Sequence, residues 1–112
     1  KLPEQMVLIG SDAGDRLVTE MDSWLEDLEP LESFIMPTGS PPVATLHVAR
    51  TVARRAERRA CSLRETDGDD AVRDEVVSYL NRLSDWMFVL GRWISRMTGE
   101  EEVLWTPLGK RE

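Results

Sequence analysis

Three arginines, Arg50, Arg54 and Arg58, recur at i, i+4 and i+8 within the segment Phe34 to Arg59, FIMPTGSPPVATLHVARTVARRAERR. On an α-helix this spacing stacks side chains one above another along one side. A column of like charge repels itself unless an anion or a row of carboxylates faces it. The guanidinium group presents a planar fork matched to phosphate oxygens, so the chemistry on offer is capture of a polyphosphate. Arg55 and Glu57 belong to the same run. The competing reading is a solvated charged face in which Glu57 pairs with Arg54 or Arg58 along the helix. Such pairs contribute only ~0.3–0.5 kcal/mol each. The chain carries a formal net charge of -7, from 14 Lys+Arg against 21 Asp+Glu, so this positive charge is a local concentration. An acidic balance argues against a nucleic-acid partner, which needs a basic footprint.

Other reactive groups offer less. His47 is the one histidine, and without a Glu-x-x-His pair a di-iron carboxylate bundle has no ligands. Cys61 is the one cysteine, so it can neither close an intrachain disulfide nor build a thiolate metal site. Both are expected to be helix residues without chemistry, His47 half-buried and Cys61 a small buried apolar group. The glycine patterns of phosphate-binding and dinucleotide-binding loops are absent, and no serine or cysteine triad can be assembled. No side chain is expected to act as a general acid or base.

The 112 residues fit one domain, 1–112, with 31% charged and 41% hydrophobic residues as in ordinary globular chains. No apolar run approaches the ~20 residues that cross a bilayer, so a cytoplasmic protein without a membrane partner is expected. The pattern is all-helical. Met6-Val7-Leu8-Ile9 is too short to classify by period, and Ser11 to Asp15 reads as a break. Asp15 is placed to cap a helix whose stripe is Leu17, Met21, Leu25 and Leu28, with Pro30 stopping it. Leu31 to Gly39 reads as a loop. Ser40 followed by Pro41 opens the arginine helix, which is expected to reach about Leu63. Along it Ala49, Ala53, Ala56 and Ala60 would admit a close neighbour.

Gly68 and Asp69 mark the next turn, and Asp69 or Asp70 is expected to cap a last helix ending near Gly99. In that helix Val76, Leu80, Leu83, Met87, Leu90, Ile94 and Met97 form a seam spaced by four and three. A second strip holds Asn81, Asp85, Phe88 and Arg92, and a third Trp86, Val89 and Trp93. Apolar groups on so many sides imply burial against more than one neighbour. Asn81 and Asp85 are expected in a partly buried strip, where each needs a partner.

Three segments, FIMPTGSPPVATLHVARTVARRAERR, YLNRLSDWMFVLGRW and EEVLW, resemble in order and spacing the PduO-type ATP:corrinoid adenosyltransferases, from about Glu4 to Trp105. The family pattern reads close to L-H-x-A-R-T-x-x-R-R-A-E-R, followed by an N-R-L-S-D motif. The resemblance implies a ferritin-like helical bundle, assembled as a homotrimer with sites between subunits. The implied reaction moves the 5′-deoxyadenosyl group of ATP to Co(I) of a corrinoid such as cobalamin, releasing triphosphate, with Mg2+ on the phosphates. Carried over position by position, Arg54, Arg55, Glu57, Arg58 and Asn81 would contact the nucleotide. Phe34 and Phe88 would border the corrinoid, Arg50 would join an intersubunit salt bridge, and Asp85 would support the site. A cob(II)alamin reductase and a cobalamin-dependent enzyme are the implied partners.

The family's N-terminal nucleotide loop and first long helix have no counterpart here, and its Gly-Gly after the loop proline is Thr38-Gly39. The sequence also begins Lys-Leu-Pro without an initiator Met, so it is expected to be the C-terminal, larger part of a longer chain. Two other readings stay open on the residues: a non-catalytic corrinoid- or nucleotide-binding relative, and a helical interaction module whose arginine column docks an acidic partner.

Overall fold

The computed structural model of the chain describes residues 8–30 and 39–99, and these form α1 (Ser11–Leu25), α2 (Pro41–Asp67) and α3 (Asp74–Met97). A single 3₁₀ turn, Asp69–Ala71, links α2 to α3, and no strand occurs among the described residues. The all-α, helical-bundle expectation therefore holds for the described residues. Phe34, the loop Leu31 to Thr38 and the segment around Trp105 lie outside them.

α3 lies between the other two helices: α1 and α2 both pack on it and make no contact with each other. This explains the three strips of α3. Trp86 and Trp93 face α1, where their rings stand 5.5 and 6.0 Å from that of Trp24 in tilted pairs. Such aromatic pairs add about 0.5–1.5 kcal/mol beyond the area they bury. Met87 and Val89 are buried in the core with Leu17 and Met21 of α1 and Val43 and Ala53 of α2. The seam fades at its end, where Met97 is 64% exposed. Of the alanine stripe only Ala53 is buried; Ala49 and Ala60 are half-buried and Ala56 is exposed.

Several boundaries differ from the sequence expectation. Ser11 to Asp15 is the first turn of α1, not a break, and Gly10 rather than Asp15 caps it. Gly14 looks like punctuation but marks a close approach: a methyl group there would stand 2.9 Å from Arg82 Nη1. Asp15 accepts a hydrogen bond from that same Arg82 nitrogen at 3.0 Å, which leaves it no capping role. At the other end α1 stops at Leu25, ahead of Pro30. Its last turn has no basic residue, and Glu26 and Asp27 set negative charge against the negative end of the helix dipole. The amides of Asp27 and Leu28 then close tighter turns on Trp24 and Leu25.

Ser40 does cap α2, with proline in the first turn, although its hydroxyl makes no capping bond. α2 runs past Leu63 to Asp67 and ends at Gly68, whose φ of 99° and ψ of 163° suit glycine alone. Asp69 and Asp70 form the 3₁₀ turn and do not cap α3; Arg73, in extended backbone, precedes it.

Candidate functional site

The α2–α3 pair is antiparallel, and three contacts across it fix its register. Arg64 Nη2 meets Asp74 Oδ1 at 2.7 Å beside the connecting turn. Asn81 Nδ2 donates to Glu57 Oε2 at 3.0 Å. Farther along, the Arg50 guanidinium lies over the Phe88 ring, 5.1 Å from its centroid. From 64 to 57 to 50 along α2, and from 74 to 81 to 88 along α3, each contact falls two helical turns from the last. One continuous seam therefore joins the arginine motif to the N-R-L-S-D motif.

Burial grades along the seam. Asn81 and Asp85 are exposed, contrary to the partly buried strip expected for them, while Arg82 and Trp86 on another side of the same turns face α1. Phe88 is half-buried and Arg92 buried. Arg54 stands on α2 between the Arg50 and Glu57 contacts, and Arg58 one turn beyond it; both are exposed. Among the described residues no ion pair uses Arg54, Arg55 or Arg58, and Glu57 gives its carboxylate to Asn81 instead. The solvated face of internal pairs is thus not what α2 builds. Arg54 and Arg58 keep their donors available to an outside anion beside Glu57 and Asn81. Arg55 is turned about 100° from Arg54 on the helix, to the outward face that carries the exposed Val48 and Val52. The structure thus gathers Arg50, Arg54, Glu57, Asn81, Asp85 and Phe88 along one edge, with Arg58 on its flank and Arg55 set apart.

Two further residue environments were misjudged from sequence. His47 is buried, 8% exposed, and its pKa is lowered first by burial and then by the neighbouring positive charge of Arg50. Cys61 is exposed: it follows Glu57 along the open edge of the seam, which no third helix among the described residues covers. Arg50 Nε is buried and has no hydrogen-bond acceptor among the described residues. Among those residues no group of three His, Cys, Asp or Glu side chains gathers to hold a metal.

Sequence reasoning also gave Arg92 no role. Its Nη2 donates to the backbone oxygen of Glu29 at 2.7 Å, just beyond α1. The available signal was a permanent charge placed among Val89, Leu90, Trp93 and Ile94.

Residues 2–94 match the sequence profile of the family described as cobalamin adenosyltransferase. The chain belongs to the cobalamin adenosyltransferase family. It is 48% identical over 95 residues to the corrinoid adenosyltransferase of Mycobacterium leprae, which covers 85% of this chain and 48% of that protein. It is 45% identical to the cobalamin adenosyltransferase of Cupriavidus metallidurans, over 79% of this chain and 48% of that one. Among solved structures it resembles a variant PduO-type ATP:corrinoid adenosyltransferase from Lactobacillus reuteri complexed with cobalamin and ATP. That likeness has a TM-score of 0.79 at 25% identity and covers 94% of this chain and 56% of the other. The chain thus spans about half the length of these relatives. No helix among the described residues of this adenosyltransferase family member is long and apolar enough to cross a membrane.

Proposed function

We propose that this chain supplies the arginine seam of an ATP:corrinoid adenosyltransferase, transferring the 5′-deoxyadenosyl group of ATP to Co(I) of a corrinoid. The lone pair of Co(I) forms the bond to C5′ as the C5′–oxygen bond breaks, and that electron pair leaves with triphosphate. The observation that carries this reading is the pair of exposed arginines, Arg54 and Arg58, without carboxylate partners among the described residues, flanking the Glu57–Asn81 bond in an acidic chain. Family membership and a structural relative complexed with cobalamin and ATP support it.

Arg54 and Arg58 would neutralise the triphosphate as charge builds on it during bond cleavage. The Asn81 amide holds the Glu57 carboxylate out from α2 and would approach the nucleotide with it; Arg55 would engage it from the outer side. Mg2+ would arrive with the phosphate oxygens and supply charge neutralisation there, with Glu57 the carboxylate that would help hold it. Phe88 would wall the corrinoid, and Phe34 is proposed as its second border. The rest of the task is positioning, which needs no general base and fits a seam without one.

Arg50 over Phe88, with its Nε lacking an acceptor among the described residues, supports a salt bridge to a carboxylate of a neighbouring protomer. A homotrimer with sites between subunits is the assembly proposed. A reductase delivering electrons to cob(II)alamin and a cobalamin-dependent acceptor enzyme would be its partners. Calorimetric titration of the protein with Mg-ATP and with cobalamin tests the reading: both are expected to bind. Binding of neither would leave the seam as a docking face for an acidic protein.

A further inference from the structure

Between the Glu57–Asn81 bond and the Arg50–Phe88 contact the seam runs about 10 Å, seven residues at a rise of about 1.5 Å. Two charged side chains enter this interval. Arg54 stands four residues on from Arg50 along α2, and Asp85 four residues on from Asn81 along α3. Because the helices are antiparallel, the two are nearly level, about one residue's rise apart, with Asp85 nearer Phe88. Both are exposed.

Among the described residues the Asp85 carboxylate takes part in no ion pair or hydrogen bond. Its neighbouring cation on α3, Arg82, three residues back, gives Nη1 to Asp15 at 3.0 Å instead. A carboxylate that only held other groups in place would have a partner within the fold. Asp85 keeps both oxygens available, as Arg54 keeps its donors. The interval therefore offers a cation from α2 and an anion from α3, with the Glu57–Asn81 bond at one end and the Phe88 ring at the other.

We propose that Asp85 binds the ribose of the nucleotide, its carboxylate accepting hydrogen bonds from the 2′- and 3′-hydroxyls. The proposal rests on the adenosyltransferase reading above. On that reading the triphosphate would lie against Arg54 and Arg58, the corrinoid against Phe88, and C5′ would join them. The ribose carries C5′, so it would fall between those ends, at the level of Asp85. Phosphates repel a carboxylate, whereas a vicinal diol presents two donors to its two acceptor oxygens. A carboxylate takes a ribose hydroxyl in the same way in dinucleotide-binding folds. Such a contact would select ribonucleotides and turn C5′ toward the aromatic end of the seam.

The test titrates the protein and its Asp85→Ala and Asp85→Asn variants with Mg-ATP, Mg-2′-deoxy-ATP, Mg-3′-deoxy-ATP and Mg-tripolyphosphate. The unmodified protein is expected to bind ATP about tenfold or more tighter than either deoxynucleotide, each of which lacks one charge-assisted hydrogen bond. Asp85→Ala is expected to weaken ATP binding by at least that factor and to erase the preference over the deoxynucleotides. Its tripolyphosphate binding is expected to change less than about threefold. Asp85→Asn, which keeps one acceptor oxygen, falls between. Both variants are expected to melt with the unmodified protein, because an exposed side chain without partners holds nothing in the fold. Equal losses for ATP and tripolyphosphate would place Asp85 at the phosphates or their magnesium and overturn the proposal. A preference for ATP over the deoxynucleotides that survives in Asp85→Ala would overturn it as well. If the unmodified protein binds neither ATP nor tripolyphosphate, the functional reading itself fails; if it binds ATP without regard to the ribose hydroxyls, this proposal alone fails.

Discussion

Replacing Arg54 by alanine separates a built anion site from a merely charged surface. Arg54 is exposed, takes part in no ion pair among the described residues, and stands one turn from the Glu57–Asn81 bond. Nothing in the fold depends on its head group, so the change in stability is expected within about 0.5 kcal/mol. Against a phosphate oxygen, one charge-assisted hydrogen bond contributes about 1.5–3 kcal/mol. At 1.4 kcal/mol per decade this is a loss of about 10- to 150-fold in Mg-ATP affinity. Any arginine-to-alanine change also lowers net charge, so Arg59→Ala is the proper control. Arg59 lies about 140° round α2 from Arg54, on the outward face. At about 0.15 M salt the Debye length is about 8 Å, so Arg59→Ala is expected to cost less than about threefold. Calorimetry with Mg-ATP, paired with thermal melts, reads both quantities. Equal losses for the two variants would mean that bulk charge alone attracts the nucleotide. An Arg54→Ala protein that unfolds would show that the side chain is structural after all.

Three further outcomes follow from particular contacts. Asn81→Asp sets a second carboxylate 3.0 Å from Glu57 Oε2 in place of a donor, and is expected to weaken Mg-ATP binding at least tenfold by calorimetry. His47 is held below its ordinary pKa of about 6.5, so the unfolded chain binds the proton more readily. Its contribution to stability is complete above about pH 6.5 and is lost as pH falls from there through the lowered folded value, so melting temperature should drop with acid and His47→Gln should flatten that slope. Gly68→Ala meets no atom within 4 Å but must adopt φ 99°, which should cost about 1–3 kcal/mol in urea unfolding; an unchanged midpoint would mean the turn relaxes freely.

The sequence reveals best what depends on local stereochemistry. Ser40 followed by Pro41, and Gly68 after the arginine helix, locate α2 because few residues fit those backbone positions. The three strips of α3 were also legible, since a helix apolar on several sides has to be central. Features that depend on a partner were not legible. Gly14 and Asp15 read as a break because the side chain that explains them, Arg82, is supplied from a distant part of the chain. Cys61 and Asn81 were misjudged for the converse reason: their types or neighbours suggested burial, but among the described residues no third helix covers their edge. Family resemblance gathered the site residues into one set, yet it could not show that Arg55 faces away from Arg54.

The spacing of the two motifs acquires a physical reason from the register of α2 and α3. Steps of seven residues keep Arg50, Glu57 and Arg64 on one line of α2, and Asp74, Asn81 and Phe88 on the facing line of α3. Contacts along that line change in kind: an ion pair at the turn, an amide–carboxylate bond in the middle, and a cation over an aromatic ring at the far end. Exposure falls in the same direction, from Asn81 to Phe88 to Arg92. On the adenosyltransferase reading proposed above, a hydrated triphosphate and a large, partly apolar macrocycle would need opposite surroundings and would have to meet at one carbon. A single seam that passes from wet and charged to half-buried and aromatic within two turns would supply both. Moving either motif by one residue along its helix would rotate its members about 100° out of line and break that sequence of environments.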